Sequence, residues 1–306
     1  MATSDRVAAW QEQARGRRPL RGLVHPKAVG QGLLLVLCLL LLVTTGCTRP
    51  FFWPQREHAW DPARAGIEYR DVMFRSTDGV RLHSWFLPAD DPSGTIVFLH
   101  GNAQNVSTHI AAVHWLPERG YNVFMPDYRG FGRSEGEPDF AGIHKDARAA
   151  IAHAREREDT DPGRIVVLGQ SLGGSVAITT VARHGDSLGV RALVADSPFS
   201  SYRGIAREKL AGSWVTWPFQ VPLSWAVPDG FAPVNYIADV APIPTLLIAG
   251  ETDTTVPSHH SERLRDAAGE PVELWLLPET DHTAAFARAD VRDRLVSWLD
   301  ARLVAE

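Results

Sequence analysis

Hydrophobic and polar positions along this chain alternate between two periods. Thr95–Leu99 is a short apolar run, the pattern of a strand buried on both faces. Asn122–Met125, Ile165–Leu168, Ala192–Ala195, Thr245–Ala249 and Val272–Leu277 are further strands by the same reading. Ile67–Arg75 and Val80–Leu87 flank the turn Thr77-Asp78-Gly79, which predicts a hairpin. Between the strands the period changes. Ile143, Ala147, Ala150, Ile151 and Ala154 recur at helical spacing, and Asp161-Pro162-Gly163 ends that segment. A helix is predicted after Leu99, ending near Gly120, and another after Leu168, running to about His184. Ser258–Ala268 reads as helix, and Val291, Leu295, Trp298, Leu299 and Leu303 form the apolar stripe of a last one.

Strands and helices in strict alternation imply an α/β fold. Its sheet is mostly parallel, with helices on both faces. Sites in such sheets form at the carboxyl ends of the strands. Phe199–Val240 breaks the alternation. It holds Trp214, Trp217, Phe219, Trp225 and Phe231 with several prolines, and is expected to form a small cap over residues 199–240. Its rings either line an acyl pocket or bury themselves on the domain.

The first 47 residues follow different rules. Arg15, Arg17, Arg18, Arg21 and Lys27 precede the apolar run Leu33–Val43, and Thr44-Thr45-Gly46-Cys47 follows. A basic flank, an apolar stretch and small residues before a break describe an export signal. The run is shorter than the ~18 residues of a spanning helix. Cys47 after Thr-Thr-Gly resembles a bacterial lipobox, which implies lipidation at Cys47 and a membrane-anchored, extracytoplasmic protein. The alternative is a single uncleaved N-terminal anchor that spans the membrane. The basic leader is long for a signal, and one hypothesis starts translation nearer Val24. The expected organisation is a signal or anchor over 1–47, a linker over 48–66 and one domain over 67–306. Phe51, Phe52 and Trp53 sit either at a membrane interface or on the domain edge.

Composition narrows the chemistry. The chain has 306 residues, 44% of them hydrophobic, enough for a substantial core. Its two cysteines, Cys38 and Cys47, both precede the domain, so the domain has no disulfide and no cysteine metal site. The net charge is −5, yet the first 47 residues are basic. The domain is therefore more acidic still, a poor match for nucleic acid.

One constellation carries chemistry. Gly169-Gln170-Ser171-Leu172-Gly173 lies between a predicted strand and a predicted helix, the context that a G-x-S-x-G nucleophile elbow requires. Such an elbow exposes the Ser171 hydroxyl on a sharp turn and aims the Leu172 N–H at a developing oxyanion. Serine needs a base held by an acid. Asp253 follows one later strand and His282 another, in the chain order Ser, Asp, His expected of this fold. Asp196 is the competing acid. His100-Gly101-Asn102-Ala103 follows an earlier strand and suits a second oxyanion N–H, assigned to Asn102. His259 and His260 are expected to be exposed at a helix start. His114, His144, His153 and His184 read as helix-surface residues, and Asp281 as a surface charge or cap. Gly130-Phe131-Gly132-Arg133-Ser134-Glu135-Gly136 misses the dinucleotide pattern by one place and reads as a structural loop.

These residues together resemble the αβ-hydrolase superfamily, over roughly Ile67 to Leu303. More narrowly the chain is similar to the Bem46-like branch, which includes membrane-associated depalmitoylases and is akin to serine aminopeptidases. The motifs are His100-Gly101-Asn102-Ala103-Gln104-Asn105, Asp127-Tyr128-Arg129-Gly130-Phe131-Gly132-Arg133-Ser134, the elbow, Gly250-Glu251-Thr252-Asp253 with Val256-Pro257, and Asp281-His282. The resemblance implies an eight-stranded sheet, Ser171 as nucleophile, Asp253 as acid, His282 as base, and Asn102 and Leu172 as oxyanion donors, with no metal or organic cofactor. The expected activity is hydrolysis of a small acyl ester or thioester. Amide or peptide hydrolysis is the alternative in the same class, and a catalytically silent membrane-tethered binding protein the alternative outside it.

Overall fold

The computed structural model describes residues 51–303, so Cys47 and the apolar run before it lie outside the described residues. Eight strands form the main sheet. They are β2 (Arg70–Arg75), β3 (Arg81–Leu87), β4 (Gly94–Leu99), β6 (Tyr121–Pro126), β7 (Ile165–Gln170), β8 (Val190–Asp196), β9 (Thr245–Gly250) and β10 (Val272–Leu277). Their spatial order is β10-β9-β8-β7-β4-β6-β3-β2. β2 with β3 and β3 with β6 are antiparallel, and every other pairing is parallel. The mostly parallel eight-stranded αβ-hydrolase sheet is thus present, with the antiparallel part at one edge.

Side chains on a strand point alternately to opposite faces. Val97 and Leu99 of β4, Val167 of β7 and Leu247 of β9 therefore meet one core, with α2 (Phe140–Arg155) and α3 (Leu172–Leu188) over it. Ile96, Phe98, Val166, Leu168, Leu246 and Ile248 meet the second core, under α7 (Ala289–Leu303). The buried residues of α7 are Val291, Leu295, Trp298, Leu299 and Leu303, the stripe read from the sequence. The segment after β4 departs from expectation. It forms a two-residue strand β5 (Ala103–Gln104), a short α1 (Val106–His109) and 3-10 turns at Ile110–Ala112 and Pro117–Arg119, in place of one continuous helix. Asn105 caps α1 by accepting from the Ser107 N–H.

The stretch expected as a linker is packed from Phe51 onward. β1 (Trp53–Pro54) pairs in parallel with β5. Phe52 is buried in the first core, and its ring meets Phe140 at 5.2 Å. Phe51 lies against Phe140 and Tyr202. Asn105 Nδ2 donates to the carbonyls of Gln55 and Glu57. The aromatic pair therefore takes the domain-edge role of its two readings, whereas Trp53 is largely exposed.

The cap is partly regular, with α4 (Tyr202–Ala211) and α5 (Gln220–Ser224) joined by 3-10 turns. Its rings follow neither expectation as a group. Phe231 stacks on His144 at 4.4 Å, but Trp214, Trp217, Phe219 and Trp225 face outward. Past β9, α6 (His259–Ala267) packs beside β10. Among the described residues no helix is long and apolar enough to cross a membrane.

Burial of Phe52 makes a prediction. Phe52→Ala removes a core ring and should lower stability by about 3–5 kcal/mol, read as a shift of the guanidinium unfolding midpoint. A true linker residue would cost under about 0.5 kcal/mol.

Candidate active site

β7 delivers Ser171 to the carboxyl edge of the sheet. The residue sits at φ 55°, ψ −116°, between the strand and α3. Two glycines make that turn possible by close approach. A Cβ on Gly169 would lie 2.2 Å from the Gly173 carbonyl oxygen, and one on Gly173 would lie 1.9 Å from that of Leu99. No side chain fits either gap. The Ser171 N–H donates to the Asp196 carbonyl at 2.8 Å, which locks the strained residue to the neighbouring strand β8.

Three of the sequence candidates meet. His282 Nε2 is 3.0 Å from Ser171 Oγ, and His282 Nδ1 is 2.7 Å from Asp253 Oδ2. Asp253 is buried, and its other oxygen accepts the N–H groups of Thr255 and Val256, each at 2.8 Å. Burial opposes its ionisation. The bonds from His282, Val256 and Thr255 outweigh that and hold its carboxyl below the usual range. Thr252 Oγ1 donates to Asp281 Oδ1 at 3.0 Å. Asp281 thus ties the acid loop to the base loop, a part that neither of its sequence readings had assigned.

Asp196, the competing acid, does not reach His282 Nδ1. Its carboxylate accepts from Gln170 Nε2 at 2.9 Å and from Ser197 Oγ at 3.2 Å. Full burial pushes its pKa up to about 6, against the lowering effects of Gln170, His282 and Ser197. Gln170 Nε2 also donates to the Thr283 carbonyl at 3.2 Å, and the Thr283 N–H donates to Ser197 Oγ at 3.4 Å. Asp196 is therefore the centre of a buried brace joining the elbow to the loop that carries His282.

Leu172 is the first residue of α3, so its N–H lacks an intrahelical acceptor. Asn102 follows β4, and its side chain donates to the Phe51 carbonyl at 2.6 Å. Its own carbonyl accepts from the Trp53 N–H. The loop is held from below by His100 and His109. His100 Nδ1 donates to the Gly101 carbonyl, and His109 stacks on it with ring centroids 5.1 Å apart. Burial, then the neighbouring His109, lowers the His100 pKa to about 4, so the ring is neutral at neutral pH. Sequence reasoning missed Gln170, Ser197, His109 and the Phe51 carbonyl. Gln170 lies in the variable place of the elbow motif, which fixes no role for it, and its contact with Thr283, like that of Phe51 with Asn102, spans a long stretch of chain.

Other histidines differ from expectation. His260 is buried, with Nδ1 accepting the Ser200 N–H at 3.2 Å, while His259 is exposed. His144 is buried between Phe231 and Tyr202. The Asp127–Arg133 loop is structural, as read. The Arg129 guanidinium pairs with Asp146 and Asp78. Two clusters have metal-ligand residue types, His58 with His83 and Asp127, and Glu208 with His259 and His260. His83 lies between two carboxylates, Asp71 at 2.6 Å and Asp127 at 3.3 Å, which accounts for the first as a hydrogen-bonded network.

Known proteins share this arrangement of chain and fold. Residues 90–229 match the family model described as serine aminopeptidase, S33. The uncharacterized protein YfhR of Escherichia coli K12 is 41% identical over 257 residues, covering 81% of this chain and 86% of that one. Protein bem46 of Schizosaccharomyces pombe is 30% identical over 215 residues, 68% of this chain and 69% of its own. The Pyrococcus furiosus esterase Pf2001 shares the fold, with TM-score 0.68 and 23% identity over 82% of this chain and 98% of that one. An elbow serine at the carboxyl edge of this sheet, with such relatives along most of the chain, places the protein in the family of αβ-hydrolase-domain proteins that includes YfhR, bem46 and WAV2 of Arabidopsis thaliana, the last 36% identical over 66% of this chain and 68% of its own.

Proposed function

We propose that this chain is a membrane-tethered serine hydrolase that cleaves a carboxylic ester or thioester through an acyl-enzyme. The observation that carries the reading is the continuous relay from Ser171 Oγ to His282 to Asp253, at 3.0 and 2.7 Å. Ser171 Oγ attacks the acyl carbon as its proton passes to His282 Nε2. Asp253 accepts from His282 Nδ1–H, fixes the tautomer and stabilises the imidazolium. The Leu172 and Asn102 N–H groups receive the oxyanion. Collapse expels the alcohol or thiol, which takes the proton from His282 Nε2. Water then attacks the acyl-enzyme by the same route, and the acid leaves. None of these steps needs a metal or organic cofactor.

The family description, serine aminopeptidase, favours a second reading in which the scissile bond is an amide. The Pf2001 neighbour, named as an esterase, favours the ester. An intact relay weighs against a silent binding protein. For location, the reading is a lipid-modified Cys47 outside the cytoplasm, supported by the basic flank, the Leu33–Val43 run and the lipobox-like Thr-Thr-Gly-Cys.

Ser171→Ala is expected to lower kcat for a p-nitrophenyl ester by about four to six orders of magnitude, with fluorophosphonate labelling of Ser171 lost. Asp253→Asn should cost about 10⁴-fold through the wrong tautomer. Retained turnover in Ser171→Ala would sink the catalytic assignment.

A second prediction concerns Asp196. Its folded pKa is raised, so its contribution favours folding at low pH and is lost as pH rises through about 6. Between pH 4 and pH 8, Asp196→Asn should therefore gain stability relative to the wild type by on the order of 2–3 kcal/mol. Urea unfolding at the two pH values measures it, and a difference independent of pH would contradict the assignment.

For the N-terminus, intact mass of the membrane-extracted protein should show cleavage before Cys47 and added acyl mass. An unlipidated mass spanning residues 1–306 would refute the lipoprotein.

A further inference from the structure

Leu210–Pro228 contains no charged residue. Trp214, Trp217, Phe219 and Trp225 within it are 88%, 60%, 55% and 68% exposed, and Val215 and Val221 are exposed as well. Apart from these, the large exposed hydrophobic residues among the described residues are Trp53, Trp60, Met73 and Leu276, elsewhere in the chain. The tip of the cap is thus an unpaired aromatic surface on an already folded element.

We propose that this cap tip docks into the interfacial layer of a lipid bilayer and presents a membrane-borne acyl group to Ser171. The docking stands on the surface itself, and the substrate class rests on the serine-hydrolase reading above. Three observations favour lipid as the occupant. Tryptophan and phenylalanine on an uncharged segment suit the headgroup boundary, where an indole keeps its N–H wet and its rings dry. Exposed Arg203 and Arg207 stand on α4, at the root of that segment, where cations attract anionic headgroups. Finally, the chain enters the domain beside the cap. Phe51 packs at 5.8 Å from Tyr202, the first residue of α4. The four residues from Cys47 to Phe51 reach at most about 14 Å when extended. A lipid on Cys47, as proposed above, would therefore keep the cap root close to the bilayer that holds it.

The surface is wired to the site. Lys209 Nζ, at the end of α4, donates to the Thr254 carbonyl at 3.1 Å, next to Asp253. Docking through the cap thus brings the loop of the catalytic acid towards the lipid surface, where an acyl chain has a short path to the elbow.

The test uses the full chain in phosphatidylcholine–phosphatidylglycerol vesicles that contain a diazirine-bearing phosphatidylcholine. After irradiation and chymotryptic digestion, label is expected on residues 210–228 as well as on the N-terminal segment. Label confined to residues 1–50 would overturn the docking. The triple variant Trp214→Ser, Trp217→Ser, Trp225→Ser changes only exposed rings. Its turnover of soluble p-nitrophenyl butyrate should stay within about twofold of the wild type, while turnover of p-nitrophenyl palmitate in the vesicles falls about tenfold or more. Equal rates on the vesicle substrate would overturn the proposal. So would unlabelled residues 210–228 together with a dimer in sedimentation that the triple variant abolishes, which would assign the surface to a second copy. If the wild type turned over neither ester, the hydrolase reading would fail, and the photolabel alone would still decide the docking.

Discussion

Everything at the carboxyl edge of this sheet depends on one steric constraint, the near-contact of backbone between the elbow and strand β4. With Gly173 almost touching the Leu99 carbonyl and Gly169 touching Gly173, the turn at Ser171 has no freedom to relax. A non-glycine residue at φ 55° is costly by itself, on the order of 1–3 kcal/mol. The surrounding sheet and the hydrogen bond to Asp196 maintain it. The serine is therefore placed by the fold before any base approaches it.

The remaining members arrive from loops that cannot place themselves. Asp253 and His282 follow adjacent parallel strands, β9 and β10, so register brings their loops side by side. Fine alignment then comes from groups without catalytic chemistry. Thr252 with Asp281 clamps the two loops, and Gln170 with Asp196 ties the His282 loop to the elbow. Two buried aspartates thus sit near one imidazole with opposite environments. Asp253 is stabilised as an anion by three donors, whereas Asp196 is driven towards neutrality by its burial. The 2.7 Å bond to His282 Nδ1, which Asp196 does not make, gives Asp253 the acid's part in the proposed relay.

Legibility in the sequence followed the range of the interactions. Strands buried on both faces and the α7 stripe are local patterns, and the sheet matches them closely. The elbow was legible because its glycines mark a steric need confined to five residues. Ser171, Asp253 and His282 could be named from their positions after strands. What stayed hidden was long-range. Nothing about Trp53–Pro54 announces a strand, since two residues carry no period and the pairing partner lies fifty residues on. His144 and His260 look like helix-surface residues until Phe231, Tyr202 and Ser200 fold over them. The helix expected after Leu99 failed for a related reason. The chain there serves the loop of Asn102 and the entering segment, and regular structure gives way to those contacts.

The Asn102 side chain grips the Phe51 carbonyl, and Trp53 and Pro54 of the entering segment form a two-rung ladder beside that loop. Tension applied to the chain ahead of Phe51 would therefore act directly on these contacts. It would load a short parallel ladder in shear, with the Asn102 loop on its far side. The segment would act as a strain-bearing strut, passing force on the chain before Phe51 directly to the loop of Asn102.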